Sequence, residues 1–272
     1  MRLTPVLALC LVAACAPIEE APVAPQEVTF RASDFAFSGP DTIAPGMTRL
    51  TMINDGPAVH HLILARIDDG HTLDELYQFV AANPDTEPEW VTYYGAANVV
   101  ATGDNTGSTV YLPEGQYVML CFLVDGDGMS HLAKGMSRGL VVSGTPVDAP
   151  PPVATEKIEM SDFSFQMPTL TPGTHTFHMT NSGAQVHEGQ LVRLDEGVTV
   201  EQFLASLAPG ATTPPPGKFL GGSGAISNGV ENWWTVDLEP GEYIILCFVP
   251  DLTSRAPHFV MGMLTQFTVA AS

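Results

Sequence analysis

Two cysteines, four histidines and two methionines stand in one order, used twice. The first set is His60, Cys121, His131 and Met136; the second is His187, Cys247, His258 and Met263. Each cysteine closes an apolar, β-rich run, 115–121 or 241–247, and a loop then returns a histidine followed by a methionine. Two imidazoles and a thiolate with a weak axial thioether form the trigonal donor set of a copper site for electron transfer. Soft sulfur suits Cu(I), imidazole suits Cu(II), and a fixed compromise geometry lowers the cost of cycling between them. Singly, each residue has a plainer reading. A free cysteine on a core strand is a small hydrophobe, a histidine near a loop is solvated, and a methionine packs. The repetition of four residue types in one order is what favours a metal site over chance.

The segments that must position these residues also come in pairs, about 127 residues apart. Ser33-Asp34-Phe35-Ala36-Phe37 matches Ser161-Asp162-Phe163-Ser164-Phe165. Turns at Ile43–Gly46 and Leu170–Gly173 precede strands that reach Asn54-Asp55-Gly56 and Asn181-Ser182-Gly183. Thr72–Glu75 and Thr199–Gln202 fit the reciprocal helix cap, and Leu73, Leu76, Tyr77 and Val80, like Val200, Phe203, Leu204 and Leu207, fall at helical spacing as core residues. Strands are expected over Ser108–Leu112 and Trp233–Leu238 before each cysteine strand. Many short strands with regular turn signals and one helix per copy predict an all-β protein of two tandem sandwiches. The expected division is a signal peptide over 1–14, a tether over 15–26, a first domain over 27–142, a Pro-rich linker over 143–155 and a second domain over 156–272.

Both copies resemble the cupredoxin family of type 1 blue copper proteins. The resemblance implies a Greek-key β-sandwich, here with a short inserted helix in each copy, and copper as cofactor. It carries His60 and His187 over as the early ligands, with Cys121, His131 and Met136, and Cys247, His258 and Met263, as the loop sets. His60 is chosen over His61 because it aligns with His187, whereas His61 aligns with Glu188; Met263 is chosen over Met261 because it repeats the spacing of His131 and Met136. Nine residues separate Cys121 from His131 and ten separate Cys247 from His258, longer than in the small members and most similar to the loop of two-domain copper nitrite reductases. The residue after the early histidine, often Asn or Ser in the family, is His61 or Glu188. Leu120 and Leu246 precede the cysteines where those reductases carry a histidine that feeds a second copper, and no His-x-His pair of the oxidase type occurs. No catalytic copper centre is therefore expected, and the chain reads as a non-enzyme.

The chain has 272 residues, a net charge of −20 and only 10 Lys and Arg, which leaves no basic face for nucleic acid. Acidity of this kind serves solubility and suits a basic redox partner. Arg2, the apolar run from Val6 to Val12 and Leu11–Cys15 resemble a bacterial lipoprotein leader, with Cys15 as the lipidated residue; an ordinary secretory signal cut after Ala14 or Ala16 is the alternative. Ala16, rather than Asp, points to the outer membrane. The expectation is a lipid-anchored, periplasm-facing envelope protein. Cys10 leaves with the signal, so Cys121 and Cys247 remain in a compartment that normally pairs cysteines; a disulfide joining the same core position of two domains is not expected. The loop histidine, 131 or 258, is expected to be an exposed electron port, with Leu132, Pro257 and Phe259 around it. Two other readings stay open: a metal-free binding or structural module, and a Cu(I) storage or delivery protein. Gly221–Gly224 lacks the lysine of a nucleotide loop, His71 precedes a helix cap, and His175 and His178 alternate on one strand without evident partners in the sequence.

Overall fold

The computed structural model describes residues 23–83, 86–208 and 214–271, except the side chains of 80 and 81. The leader, Cys15 and most of the tether lie outside these residues, as does the side chain of Val80. In the first half, β1 (Gln26–Ser33), β2 (Ala36–Ser38), β3 (Thr42–Ile43), β4 (Gly46–Asn54) and β5 (Ile63–Ile67) lead to α1 (Leu73–Ala82). They are followed by β6 (Val91–Gly95), β7 (Asn105–Leu112), β8 (Gly115–Leu120) and β9 (Ser137–Val142). The second half repeats this with β10 (Glu156–Ser161), β11 (Ser164–Gln166), β12 (Gly173–Asn181), β13 (His187–Leu194), α2 (Val200–Ser206), β14 (Gly217–Ile226), β15 (Glu231–Leu238), β16 (Gly241–Leu246) and β17 (Leu264–Val269).

Alternation builds the strands. In β1, Val28, Phe30 and Ala32 point inward while the residues between them face solvent, so one face of the strand is apolar. Phe30 is fully buried, a gain of about 1.5–3 kcal/mol for its side chain. Thr72 and Thr199 each accept from the backbone of Glu75 or Gln202, whose side chains bond back, so both capping boxes form. Leu76 and Phe203 are buried, and Val200, Leu204 and Leu207 pack around the Phe203 cluster. Each half is a β-sandwich with one short helix, as expected.

The sheets do not stop at the boundary between the halves. One sheet runs β11-β10-β12-β15-β7-β4-β1-β2, and the other runs β17-β16-β13-β14-β6-β5-β8-β9-β3. The first seam pairs β15 with β7 through Trp233 opposite Thr109 and Trp234 opposite Ser108; the second pairs Ile226 of β14 with Tyr94 of β6. The Gly221–Gly224 run lies in β14 at this second seam. A Cβ at Gly222, whose φ is +141°, would lie 1.8 Å from the Gly189 carbonyl oxygen, so close strand approach explains this glycine. The linker is also tied down: Val147 donates its N–H to the Pro45 carbonyl at 2.8 Å.

Candidate metal centres

In each half the same elements deliver the same atoms. Asn54 ends β4 and donates its side-chain amide to the carbonyls of Ala58 and Val100, at 2.8 and 3.0 Å, while accepting from Gly56 N–H. Asn181 does the same for Gln185, Ile226 and Gly183. These anchors fix the turn that presents His60 or His187. Cys121 and Cys247 follow directly on β8 and β16. The loops after them are pinched at the base, where His131 N–H donates to Leu123 O at 2.7 Å and His258 N–H to Val249 O at 2.9 Å. Val124 then bridges Ser130, and Pro250 bridges Pro257. The extra loop length therefore projects as a small hairpin and leaves the histidine beside the cysteine. A left-handed glycine, Gly135 (φ +98°) or Gly262 (φ +110°), turns the chain back. Met136 and Met263 thereby donate N–H to the histidine carbonyl at 2.9 Å and accept the cysteine N–H at 3.3 and 3.2 Å.

His60, Cys121 and His131 converge, and so do His187, Cys247 and His258, with one ligand atom from each residue within 4.8 Å of the others. The two Nδ1 atoms are 3.1 Å apart in both halves, and Sγ lies 3.4 Å from His131 Nδ1 and 3.5 Å from His258 Nδ1. Two nitrogens at that separation can both bind one ion at about 2 Å, with an angle near 100°. Met136 and Met263 are fully buried in the same clusters as the cysteines, whereas Met261 is 43% exposed. Cys121 and Cys247 are free and buried, and do not pair.

The outer nitrogens show what the inner ones need. His187 Nε2 lies 2.8 Å from Asp162 Oδ1, and His131 Nε2 lies 2.9 Å from Asp125 Oδ1. A carboxylate there requires the proton on Nε2, which leaves Nδ1 as a bare lone pair. His258 Nε2 is 3.3 Å from Gln185 Oε1, an oxygen that also accepts Leu252 N–H while the amide nitrogen donates to Asp251. In the second half, then, two bare lone pairs face each other at 3.1 Å beside a thiol. The Cys247 thiol, 3.5 Å from His258 Nδ1, can donate to only one of them, so the donor set fits a bound cation.

The electrostatics agree. Burial lowers the pKa of His60 and His187 and brings His258 to about 4, which keeps these imidazoles neutral and able to coordinate. Burial also pushes the Cys121 thiol up to about 11 and Cys247 well above its ordinary value. Both thiols therefore keep their proton until a metal displaces it. Each sulfur receives two backbone N–H groups, from His61 and Leu123 or from Glu188 and Val249.

The residue after the early histidine has a defined task. His61 Nε2 accepts the Phe122 N–H at 2.7 Å, and Glu188 Oε1 accepts the Phe248 N–H at 3.1 Å. Each ties the early-histidine turn to the backbone just past the cysteine. Burial lowers His61 to about 3, keeping it a neutral acceptor, and raises Glu188 to about 7. Glu188 also bonds to the Asn98 side chain, from the first half of the chain.

One expectation is overturned. The loop histidines are not exposed ports: His131 is 1% exposed and His258 0%. Phe35 and Phe163 stack edge-on against them with centroids 5.2 and 4.9 Å away, and the Asp125–Lys134 ion pair closes over His131. Leu132, Pro257 and Phe259 are partly buried; the exposed apolar residues nearby in sequence are Phe122, Val124 and Met129, and Val260 and Met261. The repeated Ser-Asp-Phe turn, a mere repeat marker in the sequence, is therefore part of the site: its Asp faces the early histidine and its Phe covers the loop histidine. The remaining histidines do find partners, His71 stacking on Trp90, His178 on Trp233, and His175 bonding Thr171 O.

No protein-family model matches the chain, and no curated protein does. Solved structures are similar at low identity. Reduced auracyanin from the photosynthetic bacterium Roseiflexus castenholzii is 17% identical over 44% of this chain and 99% of its own, with a TM-score of 0.33. Copper nitrite reductase from Nitrosomonas europaea is 13% identical over 92% and 95%, with a TM-score of 0.28. The copper-containing nitrite reductase from Thermus scotoductus is 12% identical over 90% of this chain and 62% of its own, with a TM-score of 0.26. These overlaps are too loose to transfer a function, and the donor geometry of the chain itself is what bears on its chemistry.

Proposed function

We propose that this chain is a copper-binding electron carrier of the bacterial envelope, with one type 1-like site per half. The observation that carries this reading is the pair of imidazole Nδ1 atoms 3.1 Å apart beside a buried cysteine, formed twice from residues far apart in sequence. Bound copper would supply one-electron exchange between Cu(I) and Cu(II). The chain's own residues supply the rest. His60, Cys121 and His131, and His187, Cys247 and His258, would hold the ion, with the buried Met136 and Met263 as candidate thioether ligands. The backbone N–H groups on each sulfur favour the thiolate. Phe35 and Phe163 exclude water and so limit reorganisation around the ion.

The same reading makes the chain a non-enzyme. Leu120 and Leu246 stand, buried, where a second-copper histidine would be needed. The leader and Cys15 support export and a lipid anchor facing the periplasm, with the acidic surface suited to a basic redox protein. Burial of all four ligand histidines favours one further reading, Cu(I) storage or delivery, because no imidazole edge is presented to a partner. The deciding experiment is the visible spectrum of the fragment from Glu27 onward after Cu(II) addition and removal of excess. A strong thiolate-to-copper band near about 600 nm, lost when Cys121→Ser and Cys247→Ser are combined, supports the carrier. A colourless protein that retains Cu(I) supports storage. A protein that retains copper in neither state refutes both.

A further inference from the structure

The two sites share their ligands but not the groups behind them. In the second half, Asp162 lies 2.8 Å from His187 Nε2 and is itself held by the N–H groups of Ala184 and Gln185, at 3.0 and 3.2 Å. In the first half, Asp34 stands 3.6 Å from His60 Nε2, beyond hydrogen-bond reach, and that buried nitrogen has no hydrogen-bond partner. Asp34 therefore holds the His60 proton on Nε2 less firmly than Asp162 holds that of His187. Moved to Nδ1, the His60 proton can be donated across 3.1 Å to His131 Nδ1, whose own proton is held on Nε2 by Asp125. The metal-free first site can thus satisfy itself with a histidine–histidine hydrogen bond that an incoming ion must break. The second site cannot, because both of its outer nitrogens are already donors and both inner nitrogens are bare.

We propose that the two sites are unequal, that the site of His187, Cys247 and His258 binds metal more tightly and fills first, and that Asp162 is the positioning residue responsible. This rests on the copper reading above. Asp34 is the incomplete counterpart in the first half. It holds the same place in the repeated tripeptide but lies 3.6 rather than 2.8 Å from its histidine, and Pro57, which has no N–H, stands where Ala184 anchors Asp162.

The test is Cu(II) titration against a competing chelator, read at the thiolate band, in two variants that each keep one thiolate. Cys121→Ser reports the second site and Cys247→Ser the first. The second site should bind about 10- to 100-fold more tightly, the range seen when a group behind a histidine ligand is lost. Adding Asp162→Ala to Cys121→Ser should remove about tenfold or more of that advantage. Asp162→Asn, which keeps an oxygen acceptor, should recover part of it. Equal affinities, a tighter first site, or an Asp162→Ala variant as tight as its parent would each overturn the ranking while leaving copper binding intact. A thiolate band in neither variant would overturn the copper reading and the ranking with it. Nitrogen-15 shifts of the metal-free, unsubstituted protein give an independent readout. His187 and His258 should carry their protons on Nε2 and His60 on Nδ1; the same Nε2 tautomer at His60 as at His187 would refute the proposal.

Discussion

Replacing Glu188 with Gln should stabilise the metal-free protein at pH 8 and do almost nothing at pH 4. Burial raises this carboxyl from its ordinary 4.5 to about 7. The folded state thus binds its proton more tightly than the unfolded state does, so stability falls as pH rises from about 4.5 to about 7 and is level beyond. That interval corresponds to about 3 kcal/mol, at about 1.4 kcal/mol per pH unit. Gln keeps the acceptor for Phe248 N–H and carries no titrating proton. The assay is urea unfolding of both proteins, reduced and metal-free, from pH 4 to 8. The neutral histidines act in the opposite sense, gaining stability as pH rises through about 4 to 6.5 for His258, but they are common to both proteins and cancel in the difference. The expected difference grows from near zero to about 3 kcal/mol in favour of Gln. A difference flat across pH, or a Gln variant weaker at pH 8, would show that burial does not hold this carboxyl neutral.

Two further changes test the scaffold. Gly222→Ala places a Cβ 1.8 Å from the Gly189 carbonyl at a positive φ; thermal unfolding should show a loss of about 3 kcal/mol or more, because neither backbone can retreat without opening the β13–β14 ladder. Phe203→Ala empties a fully buried position under α2 and should cost about 3–5 kcal/mol in urea unfolding.

Much of this molecule was legible before its structure. Duplication made the pattern readable, because an Asn, a histidine six residues on and a cysteine after a β-rich run gain meaning by recurring. The capping boxes placed α1 and α2 because the cap chemistry is local. What escaped was non-local. Asp34 and Asp162 read only as part of a repeated segment, since nothing near them in sequence says that a histidine stands opposite. The loop histidines read as exposed because loops usually are; Phe35 and Phe163, from the opposite end of each half, are what bury them. His61 and Glu188 share no chemistry with Asn or Ser beyond an acceptor atom, and only the distance to the next backbone N–H reveals the common role. The pairing of β7 with β15 leaves no trace in either strand's periodicity, which is the same for an interior strand as for an edge.

That pairing bears on how such a chain can change. In beads on a string, each bead keeps its own rim, and one can be lost, duplicated or exchanged without disturbing its neighbour. Here β6, β7, β14 and β15 have given up their rims to each other. Separating the halves would bare two ladders of unpaired N–H and C=O groups on each, the kind of surface that recruits any strand it meets. Asn98 of the first half reaches Glu188 of the second, so separation would also remove a support from the neighbouring metal centre. The two copies have become one heritable unit, free to diverge in what they do but no longer free to part.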